Sequence, residues 1–138
     1  MKDKTSGKKR EVKKSYDVQV VNLYIKATFN NILLCVTTSS GAVLLQTSSG
    51  ANGFKGPKKS TPYAAQVIAE KARDWLVSHG VKALAIKLNG PHNTRDSAIK
   101  VLANSNFGER NAGYVITSIS DITPIPHNGC RPRKIRKV

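Results

Sequence analysis

The residues that could do chemistry are few, and their spacing decides what they can do. His127 and Cys130 form a His-x-x-Cys pair, the spacing of half a zinc site. The other half is missing, because His79, His92 and Cys35 fall in separate predicted elements. The pair therefore reads as part of a tight turn, Pro126-His127-Asn128-Gly129, that presents polar groups to a partner. Between residues 18 and 122 the carboxylates are Glu70, Asp74, Asp96, Glu109 and Asp121. Helix capping or surface pairing accounts for three of them. Asp121, at a strand end, could serve a metal-dependent nuclease, but no paired-acid spacing supports it. There is no Walker-type loop, no dinucleotide fingerprint and no internal repeat. The expectation is a non-enzymatic chain with no metal, no cofactor and no small-molecule substrate.

The basic residues form a more coherent pattern. Lys55, Lys58 and Lys59 are interleaved with Gly50, Gly53 and Gly56 and with one aromatic group, Phe54. A flexible basic loop of this kind, running through Ser60 and Thr61, brings backbone N–H groups and ammonium groups to phosphate, and the aromatic ring can stack on a base. The alternative is a solvated connector. Gly90-Pro91-His92-Asn93 opens a predicted helix, and a strand–turn–helix N-terminus is an anion site to which Arg95 adds charge.

Both ends of the chain are basic. Residues 1–14 hold seven basic groups (Lys2, Lys4, Lys8, Lys9, Arg10, Lys13, Lys14) and two acids, a net +5. Residues 127–138 hold Arg131, Arg133, Lys134, Arg136 and Lys137 and no acid, another +5. The whole chain of 138 residues carries +15, so the part between the ends is nearly ordinary. Two arms of one sign point to a polyanionic partner, with nucleic acid ahead of an anionic membrane surface. Such arms are expected to order only against that partner. No apolar run reaches transmembrane length. Two cysteines make no disulfide framework, Cys35 reads as a small buried hydrophobe, and no hydrophobic leader opens the chain, so a reducing compartment is expected.

These groups must be positioned by a core, and 138 residues suffice for one domain. Val18 to Ala27 alternates as a strand, and Ile32 to Thr37 is a second apolar run. Asn30 and Asn31 between them tolerate the left-handed backbone of a tight hairpin turn. Ser39-Ser40-Gly41 precedes a third strand, Ala42 to Thr47. Thr61 followed by Pro62 starts a helix whose stripe Ala64, Ile68, Ala72 and Trp75/Leu76 faces the core, with Gly80 as its stop. Val81 to Leu88 reads as a strand. A second helix is capped by Asn93 or Thr94 and buries Ala98, Ile99, Val101 and Leu102, and Tyr114 to Ile122 reads as the last strand. The order β-β-β-α-β-α-β predicts a hairpin sheet followed by two crossover units. It divides the chain into an N-terminal arm (1–17), a globular domain (18–122) and a C-terminal extension (123–138).

Three stretches carry a family resemblance. The run from Asp121 through Thr123-Pro124-Ile125-Pro126-His127-Asn128-Gly129-Cys130-Arg131-Pro132 to the basic tail, Ala27-Thr28-Phe29-Asn30-Asn31, and Gly53-Phe54-Lys55-Gly56 through Lys59-Ser60-Thr61-Pro62-Tyr63-Ala64-Ala65-Gln66 resemble the small-subunit ribosomal protein S-eleven family. The resemblance covers about residues 18 to 138. It implies an α/β fold, a mixed five-stranded sheet with two helices in a ribonuclease-H-like topology, without that enzyme's activity. It implies a place on the platform of the small subunit, with the central domain and 3′ region of the small-subunit rRNA and neighbouring platform proteins as partners. The mRNA exit path would lie nearby, in a bacterial cytoplasm or an organelle matrix. Carried over by motif, the RNA contacts would be Asn30, Asn31, Phe54, Lys55, Gly56, Lys58, Lys59, Ser60, Thr61, Arg95, His127, Asn128, Gly129, Arg131, Arg133, Lys134, Arg136 and Lys137. The charge of the N-terminal arm adds Lys8, Lys9, Arg10, Lys13 and Lys14. Two features depart from the family pattern. Its Gly-Pro-Gly-x-Gly-Arg turn is here Gly90-Pro91-His92-Asn93-Thr94-Arg95, which shifts the expected contact from backbone to the side chain of His92 or Thr94. The segment before the last strand is longer by about Phe107 to Gly113, where Glu109 and Arg110 either reach a lineage-specific neighbour or are solvated.

Overall fold

The computed structural model describes residues 18–104 and 113–138. Lys8, Lys9, Arg10, Lys13, Lys14 and the segment containing Phe107, Glu109 and Arg110 lie outside the described residues. The elements are β1 (Val20–Ala27), β2 (Ile32–Thr38), β3 (Val43–Ser48), α1 (Pro62–Ser78), β4 (Ala83–Asn89), α2 (Thr94–Asn104) and β5 (Val115–Asp121). Two short 3-10 turns, Gly50–Asn52 and Gly56–Ser60, stand between β3 and α1. The strands form one mixed sheet in the order β3-β2-β1-β4-β5. β1, β2 and β3 are antiparallel neighbours, whereas β4 runs parallel to β1 and β5 parallel to β4. This is the ribonuclease-H-like arrangement that the family resemblance implied.

Alternation in the strands decides which face of the sheet is covered. Val21, Leu23, Ile25 and Ala27 of β1 are fully buried, as are Leu84 and Ile86 of β4. They join Ala65, Ile68, Ala69, Ala72 and Leu76 of α1, and Ala98 and Leu102 of α2, in one core cluster. The small residues of α1 let its backbone lie close to the sheet. The intervening strand residues Asn22, Tyr24 and Lys26 point the other way and stay half-buried or exposed. Cys35 belongs to that open side. Its register partners are Tyr24 and Gln46, and the residue is half-buried, so the expectation of a core cysteine is corrected. Partial burial still pushes its thiol above the ordinary cysteine range.

The start of α1 follows from two adjacent residues. Thr61 is the N-cap, its hydroxyl accepting from Ala64 N–H at 3.3 Å, and Pro62 fills the first helical position. Such a cap stabilises a helix by about 1 kcal/mol. Trp75 is half-buried against the core, with its ring stacked on His79 at 4.0 Å. In α2 the buried side is narrower than its sequence suggests. Ala98 and Leu102 are buried, while Ile99 and Val101 only border the core.

Candidate nucleic-acid interface

Topology gathers the predicted site on one edge of the sheet. β1, β4 and β5 are mutually parallel, so their carboxyl ends at Ala27, Asn89 and Asp121 share an edge. β2 begins there, because Ala27 pairs with Ile32, and β3 ends there, because Ser48 pairs with Leu33. The β1–β2 turn with Asn30 and Asn31, the basic segment after β3, the β4–α2 turn before Arg95 and the root of the C-terminal tail all leave from this edge. Both helices also start beside it, at Pro62 and Thr94. A helix N-terminus carries partial positive charge, so backbone dipoles and lysines act with the same sign. β1 starts at the opposite edge of the sheet.

The basic segment is built rather than loose, which corrects the expectation of a flexible loop. Ser49 is fully buried, and its hydroxyl donates to the Lys59 carbonyl at 2.6 Å, tying the two ends of the segment together. Ser49 N–H also donates to the Ile32 carbonyl, which anchors the segment to β2. Asn52 donates to the Thr47 hydroxyl and the Ser48 carbonyl, and Lys71 of α1 donates to the Asn52 side-chain carbonyl. Thr61 donates its hydroxyl hydrogen to the Lys58 carbonyl at 2.8 Å. Lys55, Gly56 and Lys58 are left exposed on this frame, with Lys59 and Ser60 half-buried. Phe54 meets Tyr63, the second residue of α1, edge to face at 6.0 Å, and a cleft of about 670 Å³ opens between Gly53, Phe54, Lys55, Lys58, Thr61 and Tyr63.

At the centre of the edge the β4–α2 turn is pressed against the end of β1. Gly90 is buried with φ +105°, and a Cβ there would stand 2.0 Å from the Ala27 carbonyl oxygen. Its N–H donates to the Thr123 hydroxyl, and its carbonyl accepts from Arg95 Nη1. Arg95 Nη1 also bonds Asp121 Oδ2 at 2.9 Å, while Asp121 Oδ1 accepts from the hydroxyl and the backbone N–H of Thr123. The Thr123 hydroxyl, then its N–H, then Arg95 hold the Asp121 carboxyl below the usual carboxylate range. Arg95 thus fastens the root of the tail to the sheet and spends part of its charge on Asp121. Asp121 belongs to this ion pair, and among the described residues no group of three or more metal-ligating side chains assembles.

Other predicted contacts need correcting locally. Neither Asn30 nor Asn31 adopts the left-handed backbone expected of the hairpin turn, since Asn128 is the non-glycine with positive φ among the described residues. A backbone bond from Thr28 N–H to the Asn31 carbonyl closes the turn, and side chains reinforce it: Thr28 Oγ1 accepts from Asn31 N–H, and Asn31 Oδ1 accepts from Ile32 N–H. Asn30 is left exposed. Thr94, offered with His92 as a side-chain contact, is 1% exposed and bonds His92 Nδ1, so it supports His92 rather than reaching a partner. Beyond Thr123 the tail is exposed, including His127, Asn128, Gly129, Arg131, Arg133, Lys134, Arg136 and Lys137.

Two residues escaped the sequence reading. Phe29 is 68% exposed at the hairpin turn and meets His92 edge to face at 5.7 Å. Tyr63 is 66% exposed and forms the far wall of the cleft. Both lie inside the recognised stretches, and the signal available was a large aromatic residue beside a turn or in a first helical turn, off the core stripe.

A basic edge of this kind agrees with what the chain resembles. Residues 21–137 match the family model described as ribosomal protein S11. Small ribosomal subunit protein uS11 of Orientia tsutsugamushi strain Boryong is 44% identical over 126 residues, covering 91% of this chain and 94% of the relative. The protein of the same name from strain Ikeda matches to the same extent. The chain belongs to the ribosomal protein S11 family.

Proposed function

We propose that the protein binds small-subunit rRNA through the edge formed by the carboxyl ends of β1, β3, β4 and β5, at the platform of the subunit near the mRNA exit path. Family membership makes it a structural, non-enzymatic constituent of the small ribosomal subunit. The observation that carries the finer reading is the convergence on one edge of Asn30, the framed lysines, two helix N-termini, Arg95 and the root of a tail bearing five basic residues. The central domain and 3′ region of the rRNA are the proposed RNA partners, and platform proteins the proposed neighbours. In this reading residues 1–17 and 123–138 are arms that thread into RNA, while residues 18–122 offer a rigid surface. Paired RNA hides its base edges in a deep groove, so recognition rests on shape and phosphate position.

The test is binding of the full chain to a central-domain rRNA transcript over a range of salt concentrations. Each phosphate contact contributes about 0.7–0.9 to the slope of log K against log salt. Removing residues 131–138 should weaken binding and flatten that slope by up to about 4, given five basic groups. An unchanged slope would mean that the tail touches no phosphate.

A further inference from the structure

Resting on the RNA-binding reading, we infer that the cleft between Phe54 and Tyr63 receives the base of one unpaired nucleotide, with Lys55 and Lys58 holding its flanking phosphates. Its volume, about 670 Å³, lies within the range of about 300–1,000 Å³ typical of sites that enclose a small ligand. The two rings stand at 77° to each other, so they make a corner: a base stacked on one ring turns its edge to the face of the other. A large aromatic residue 66% exposed in the first turn of a helix contributes little to the core, and Tyr63 lies off the buried stripe Ala64, Ala65, Ile68.

The charge around the cleft fits an anionic guest such as a nucleotide and not a cationic one. Lys55 and Lys58 line it, no carboxylate does, and neither lysine is ion-paired among the described residues. The backbone that carries the walls is held in place by the segment's own bonds. The Ser49–Lys59 bond closes the segment, and the Thr61–Lys58 bond fastens it to the start of α1. The Thr61 hydroxyl is occupied twice, donating to Lys58 and accepting from Ala64, so it holds the frame and does not read the base. What remains to meet a ligand is ring faces and ammonium groups. Every base has a π-face, so the cleft should accept purines and pyrimidines alike and refuse a base that is paired.

The full chain would be titrated with hexaadenylate, hexauridylate and a paired RNA duplex of equal length, at one fixed salt concentration, following the aromatic resonances of Phe54 and Tyr63. The same samples would be tested on the central-domain rRNA transcript. Both hexamers should shift the two rings, and the duplex should not. Phe54→Leu and Tyr63→Leu should each weaken hexamer binding about 5- to 150-fold, the range for loss of one base–aromatic stack, while Tyr63→Phe retains it. Circular dichroism should show all three variants folded, because neither ring is in the core cluster. Leucine variants that bind hexamers as well as the unaltered chain would overturn the inference. So would binding of the rRNA transcript without any binding of the hexamers, and that result leaves the rRNA reading standing. Failure to bind either RNA would overturn both.

Discussion

Gly90 is where the β4–α2 turn packs on the end of β1. It is buried, its φ is +105°, and the Ala27 carbonyl occupies the space a side chain would need. Gly90→Ala should therefore lower stability by at least about 1–3 kcal/mol from backbone strain alone, with the clash added. Urea unfolding measures this, and an unchanged midpoint would mean that β1 and the β4–α2 turn move apart easily. The Asp121 bonds make a pH prediction. Its folded-state pKa lies below the unfolded value of about 3.9. Its contribution to stability is thus present above that value and lost as pH falls through the folded pKa. Asp121→Asn should melt below the unaltered chain at neutral pH, and the difference should close in acid. A gap that persists in acid would assign the effect to something other than charge. Gly90 is visible in the sequence as part of the turn that opens α2, but its pressing on Ala27 is not, because residues 63 positions apart meet only through the sheet. Asn30 and Asn31 were readable as a turn, whereas the competition between left-handed backbone and side-chain capping was settled locally by Thr28.

At the scale of elements, periodicity reached far because each strand and helix has one covered side. The start of α1 was legible from Thr61 and Pro62, a local pair. The segment between β3 and α1 was misread as flexible for the opposite reason. Its order depends on Ser49 reaching Lys59 and Ile32, contacts that composition does not record. Glycine and lysine content alone describes a solvated connector equally well. The same distinction yields a prediction for the tail. Residues 126–129 are exposed, and no side-chain hydrogen bond to the sheet or helices is seen for them among the described residues. Replacing Pro126 through Gly129 by a Gly-Ser run should leave the melting temperature within about 1–2 °C, since changes away from core and caps stay within about 0.5 kcal/mol. Incorporation into small-subunit particles should fall. A large drop in melting temperature would make the turn a structural element.

The whole molecule divides its labour between a neutral core and a charged periphery. A net +15 on 138 residues repels itself in the compact state, and a polyanion relieves that repulsion. The fold orders that charge by topology. Parallel β1, β4 and β5 send their connections to one edge, and β3, running antiparallel to β2, brings the basic segment to it as well. No helix among the described residues is long and apolar enough to cross a membrane. The most direct test of this account is sedimentation of the tagged full chain from lysate through a sucrose gradient in moderate salt. The account predicts migration with small-subunit particles, with the signal moving to the top of the gradient as salt rises far enough to release phosphate contacts. Migration at the top of the gradient already in moderate salt, with intact subunits further down, would contradict it.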